Sequence, residues 1–124
     1  ALSKSIQEDT SDRLERYGEE LERQMGELAD SIERALKEHR DDASENDGRI
    51  LREVVNELDE SSESLSPPNE ESIVDSNDTL VAAHQRLDAV EGNVFDQYKR
   101  RWKEWRARLE SKMEELLTDS STGA

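Results

Sequence analysis

The side chains with the most chemistry to offer lie together in Tyr98-Lys99-Arg100-Arg101-Trp102-Lys103-Glu104-Trp105-Arg106-Ala107-Arg108. Six bases and one acid give this stretch a formal charge of +5. The 124-residue chain carries −15, so the other 113 residues sum to −20. Both tryptophans and one of the two tyrosines fall in the same stretch. Guanidinium groups beside indoles suit binding rather than bond-making. The arginine fork donates to carboxylates and phosphates, and Trp and Arg are favoured anchors of protein interfaces. Tyr98, Trp102, Trp105 and Leu109 sit at i, i+4, i+7 and i+11, one helical face. A row so spaced is usually core, its flanking bases pairing with acids such as Glu19, Glu20, Glu22 and Glu27. The candidate partner-binding set is Tyr98, Arg101, Trp102, Trp105, Arg106 and Leu109.

Elsewhere the sequence offers little chemistry. His39 and His84 are far apart, each on or beside an expected seam, where a lone histidine is a polar packing defect. No metal-ligand set can be assembled around them. The many glutamates read as a solvated face rather than paired catalytic carboxylates. There is no nucleophile-base pair, Gly-rich phosphate loop or Glu-x-x-His motif, and the absence of cysteine removes disulfides, thiolate chemistry and Cys-type zinc sites. The expectation is a non-enzymatic protein without cofactor or metal. Asn77-Asp78-Thr79 matches the glycosylation sequon, and Ser61, Ser62, Ser64 and Ser66 lie among acids; both are signals of low specificity.

Composition narrows the architecture. Charged residues make up 40% and hydrophobic ones 31%, too little apolar surface for an ordinary globular core. Such a chain is either disordered or built from helices that bury a narrow stripe, and its periodicity selects helices. No run has the length and apolarity of a membrane span, and no signal-peptide pattern opens the chain; the expectation is a soluble, intracellular protein. The acidic balance disfavours nucleic acid and peripheral membrane contact. A preference for Arg over Lys beside so many acids also matches proteins of a high-salt cytoplasm.

The first helix is expected over about 7–40, opened by a capping box at Ser5-Ile6-Gln7-Glu8. Leu14, Leu21, Leu28 and Ala35 recur every seven residues, with Gly18, Met25, Ile32 and His39 as the companion row. Arg40 to Gly48 reads as a loop around Asn46-Asp47-Gly48, or as continuous helix, since Leu36, Ala43 and Ile50 keep phase. A shorter helix spans about 49–63, and a Ser/Pro linker at about 60–69 ends it. One long helix is expected over about 72–117. Its stripe runs through Leu80, Ala83, Leu87, Val90, Val94, Tyr98, Trp102, Trp105, Leu109, Met113 and Leu116, with an eleven-residue period from Val94 onward. Residues 119–124 read as a flexible tail.

These elements describe a single all-α domain over 1–118: an elongated antiparallel helical hairpin or three-helix bundle with a coiled-coil-like seam. Leu14, Leu21, Met25, Leu28 and Ile32 would meet Leu87, Val94, Tyr98, Trp102, Trp105 and Leu109. The function expected of it is protein–protein interaction or a structural role in a larger assembly, acting through the coiled-coil-like seam, with a protein partner or self-association. The alternative is a surface binder of anionic lipid or nucleic acid through 98–108.

Overall fold

Apolar residues at alternating intervals of three and four carry most of this chain into helix. A computed structural model describes residues 2–122, with side chains at 12–112, 114 and 115. It contains α1 (Leu2–Glu38), α2 (Glu45–Glu63), α3 (Glu70–Asp88) and α4 (Asp96–Thr122), the last entered through a 3-10 turn at Asn93–Phe95. No strand occurs among the described residues. The all-α expectation holds, with four helices in place of two or three.

Contacts between helices fix their directions. The Tyr98 hydroxyl donates to Glu38 and Trp102 Nε1 donates to Ser31 Oγ, so α4 runs antiparallel to α1. Arg86 of α3 meets Glu53 and Glu57 of α2, and Ser61 bonds Ser76, so α2 and α3 are antiparallel as well. With short connections throughout, this is an up-down-up-down bundle, and α1 packs against each of the other three helices. Its seven-residue rows fill the centre as predicted: Leu21, Met25, Leu28, Ile32 and Ala35 are all buried, while Leu14 is half-buried against them.

Local chemistry moves several boundaries from where periodicity alone put them. Helix α1 begins at Leu2, ahead of the expected capping box, whose side chains lie outside the described residues. The connection to α2 is a loop over 39–44, and Asn46-Asp47-Gly48 lies inside the first turn of α2 rather than in a turn of its own. The reason is Ser44, whose Oγ accepts from the Asp47 amide at 3.1 Å and so satisfies a donor at the helix start. Asn69 starts α3 in the same way: Oδ1 accepts from the Ser72 amide, and Ser72 Oγ accepts from the Asn69 amide. The expected tail is helical as far as Thr122.

The largest departure is the long C-terminal helix, which is two helices. Asp88 ends α3, and the chain turns through Ala89–Gly92 before α4 begins. Gly92 and Asn93 are poor helix formers, and the Asp47 carboxylate, buried at the start of α2, accepts from the amides of Glu91 (3.2 Å) and Gly92 (2.9 Å). The break re-phases α4 relative to α3. Val94 is 36% exposed, and Phe95, absent from the expected stripe, is fully buried. Phe95, Trp102 and Leu109 form a seven-residue buried row in place of the eleven-residue one. Met113 and Leu116 lie outside the described side chains.

Two glycines of α1 look alike in sequence and differ in surroundings. A Cβ on Gly18 would lie 2.5 Å from Pro68 Cβ, because the turn between α2 and α3 crosses α1 there, whereas a Cβ on Gly26 would meet nothing within 4 Å. Gly26→Ala is therefore expected to raise stability by about 0.5–1 kcal/mol through helix propensity. Gly18→Ala gains the same propensity but loses about 1–3 kcal/mol to overpacking against a rigid ring, for a net loss. Denaturant unfolding of the two variants should move the midpoint in opposite directions.

Candidate functional site

The basic and aromatic stretch is held by the joint between α3 and α4. Lys99 reaches back from the first turn of α4, and its ammonium donates to the carbonyls of Val90 (2.6 Å) and Asp88 (3.3 Å). Asp88 is the last residue of α3, where a cation also complements the helix dipole, and Val90 lies in the turn beyond it. One of the six bases is thus structural.

The aromatic face divides between core and rim. Trp102 is 1% exposed and Leu109 6% exposed, while Tyr98 and Trp105 are half-buried beside them. Burial of the indole is compatible with its polar N–H because Ser31 accepts from it at 3.1 Å. The Tyr98 ring lies tilted by 34° against Trp102 at 6.0 Å and edge-on to His39 at 6.1 Å; His39 also meets Phe95 edge-on at 5.7 Å. The hydrogen bond to Glu38 pushes the Tyr98 phenol above its ordinary pKa, with burial adding to it.

The bases mostly face water. Arg100, Arg101, Lys103 and Arg108 are exposed. The ion pairs expected with Glu19, Glu20, Glu22 and Glu27 do not form among the described residues: Glu20 pairs with Arg23 of its own helix, and Arg106 pairs with Glu110 at 3.2 Å along α4. The six candidate partner-binding residues therefore do not share one surface. Arg101 and Tyr98 border a polar groove with Arg34, Glu38 and His39 on the α1 side. Arg106 lines a groove toward α3, and a partner reaches Trp102 or Leu109 only if the bundle opens.

On the α3 side, His84 and Arg106 sit where two crevices meet. One is lined by Lys99, Lys103 and Asp88, the other by Tyr17, Val81, Glu110 and Glu114. His84 is buried. Burial pushes its imidazole below the ordinary value, the Arg106 guanidinium adds to the shift, and Asp88 and Glu110 oppose it. Among the described residues, no three His, Asp or Glu side chains come together as metal ligands, and no described helix is long and apolar enough to cross a membrane.

Phe95, Asp47 and Lys99 are the residues that reasoning from the stripe overlooks. Seven-residue spacing of Phe95, Trp102 and Leu109, after the poor helix formers Gly92-Asn93, was the signal for the first. Nothing local signals that Asp47 reaches residues 91 and 92.

No protein-family model matches this chain, and no curated protein or solved structure matches it either.

A buried histidine with a lowered pKa makes stability depend on pH with a definite sign. The unfolded chain takes up a proton near 6.5 and the folded one only at lower pH. The unfolded state therefore binds more protons in that interval, and unfolding becomes easier as pH falls through it. The contribution of His84 is complete above the unfolded pKa and is lost on acidification. The His84 ring resonances should titrate with a midpoint below 6.5, and His84→Gln should flatten the fall in stability between about pH 7 and 5. A midpoint at or above the ordinary value would contradict the buried placement.

Proposed function

We propose that this chain is a non-enzymatic helical interaction protein, a structural subunit that joins a larger assembly through its outer surface, with the base-rich side of α4 as the contact. The observation that carries this reading is the division of labour on α4. Its aromatic row is turned into the bundle, while Arg100, Arg101, Lys103 and Arg108 remain exposed and outside the described ion pairs. In a chain of net charge −15, solvent-facing bases are complementary to an acidic protein surface. Such rim charges set orientation and association rate more than affinity. The reading modifies the expectation of a shared seam, since the seam residues are already packed against one another.

Anionic lipid or nucleic acid remains the competing ligand for the same bases, opposed by repulsion from the acidic remainder of the chain. In extracts of cells that make the protein, the wild type is expected to elute as part of a larger species. Arg100→Glu with Lys103→Glu should return it to the mass of the isolated chain, with folding stability within about 0.5 kcal/mol of wild type. Absence of any larger species would contradict the proposal. So would binding to anionic vesicles or oligonucleotides that weakens steeply between low and physiological salt.

A further inference from the structure

The exposed side of α4 that borders the α3 groove carries a particular charge order. Arg100, Lys103, Ala107, Glu110 and Glu114 fall at i, i+4 or i+3 steps along one stripe, and all five are exposed. Two bases lie on one side of a small residue and two acids on the other. Arg100 and Glu114 each lie seven residues from Ala107, about 10.5 Å along the helix. The surface complementary to this stripe is its own antiparallel image. A two-fold axis through Ala107 would set Arg100 of one copy against Glu114 of the other and Lys103 against Glu110, and would do so twice. The methyl of Ala107 lets the two helices approach closely at the axis. Beside the stripe, Val81 of α3 is 41% exposed and lines the same groove as Glu110 and Glu114, so the second α4 would cover it.

From this arrangement we infer that the partner of the α4 surface is a second copy of this chain, docked antiparallel across the stripe centred on Ala107. The inference rests on the reading of the chain as an interaction protein and specifies its partner. A foreign acidic surface would match the basic half alone; only a stripe with the opposite order matches the whole. The contact is short, roughly two helical turns either side of the axis, so the dimer is weak and concentration-dependent. Long-range repulsion between two chains of −15 opposes it. At physiological ionic strength the screening length is about 8 Å, which damps that repulsion more than the charge pairs in contact.

The test is sedimentation equilibrium of the full chain at physiological salt. Wild type is expected to approach twice the single-chain mass as concentration rises. Arg100→Glu with Lys103→Glu makes the stripe all acidic, and Glu110→Lys with Glu114→Lys makes it all basic; each double variant alone should stay monomeric. An equimolar mixture of the two should dimerise again, as should the quadruple variant in which the charge order is inverted. Misfolding cannot produce that rescue. A wild type that is monomeric at every concentration overturns the inference, and so does a wild-type dimer that either double variant leaves intact. In the first case a larger species in cell extracts would still support the interaction reading, so the two failures are distinguishable.

Discussion

The contact on which the rest of this structure depends is the one between the Asp47 carboxylate and the amides of Glu91 and Gly92. Hydrogen bonds to a carboxylate contribute about 1.5–3 kcal/mol each, and this part-buried pair is made at the first turn of α2, where the helix dipole favours negative charge. It holds the chain in a turn where an amphipathic pattern would otherwise run on. Gly92 is required there by proximity, since a Cβ would fall 2.9 Å from the carboxylate oxygen. On the far side of the turn, Lys99 donates to the carbonyls of Asp88, the last residue of α3, and of Val90. The donors and acceptors released by breaking one long helix are thus largely reabsorbed within the joint.

From that joint the character of α4 follows. Its starting phase places Phe95, Trp102 and Leu109 inward and Arg100, Arg101, Lys103 and Arg108 outward. The aromatic residues then contribute to the core of a chain with few large apolar side chains, and the bases contribute to a surface that is otherwise acidic. The remaining cross-helix charge contacts are modest by comparison. Arg86, forked between Glu53 and Glu57 at the α2–α3 interface, is partly exposed, and such pairs contribute little to stability, though they define which helices are neighbours.

Much of the fold was legible in the sequence because it is written in local periodicity. The rows of α1 and the end of α2 at the Ser/Pro linker follow from spacing and backbone restriction, both short-range rules. Failures came where a distant group overrode them. The stripe from Leu80 to Leu116 has an unbroken 3-4 rhythm, so it reads as one helix, and a carboxylate more than forty residues upstream joins the poor helix formers Gly92 and Asn93 in making it two. Gly18 read as a seam defect for the same reason, since its neighbour Pro68 is fifty residues away. At the candidate site, the sequence correctly marks where bases and aromatics concentrate. The aromatic spacing also marks Trp102 as core and Arg101 as flanking; it does not show that Phe95 is buried and Val94 exposed, because that depends on the phase set at residues 89–92.

The re-phasing is tested most directly by comparing Phe95→Ala with Val94→Ala in denaturant unfolding. With the turn held by Asp47, losing the buried ring should cost about 3–5 kcal/mol, and losing the exposed valine should stay within about 0.5 kcal/mol of wild type. A larger loss at Val94 than at Phe95 would mean that the helix runs through without a break, and the assignment of core and surface on α4 would be wrong.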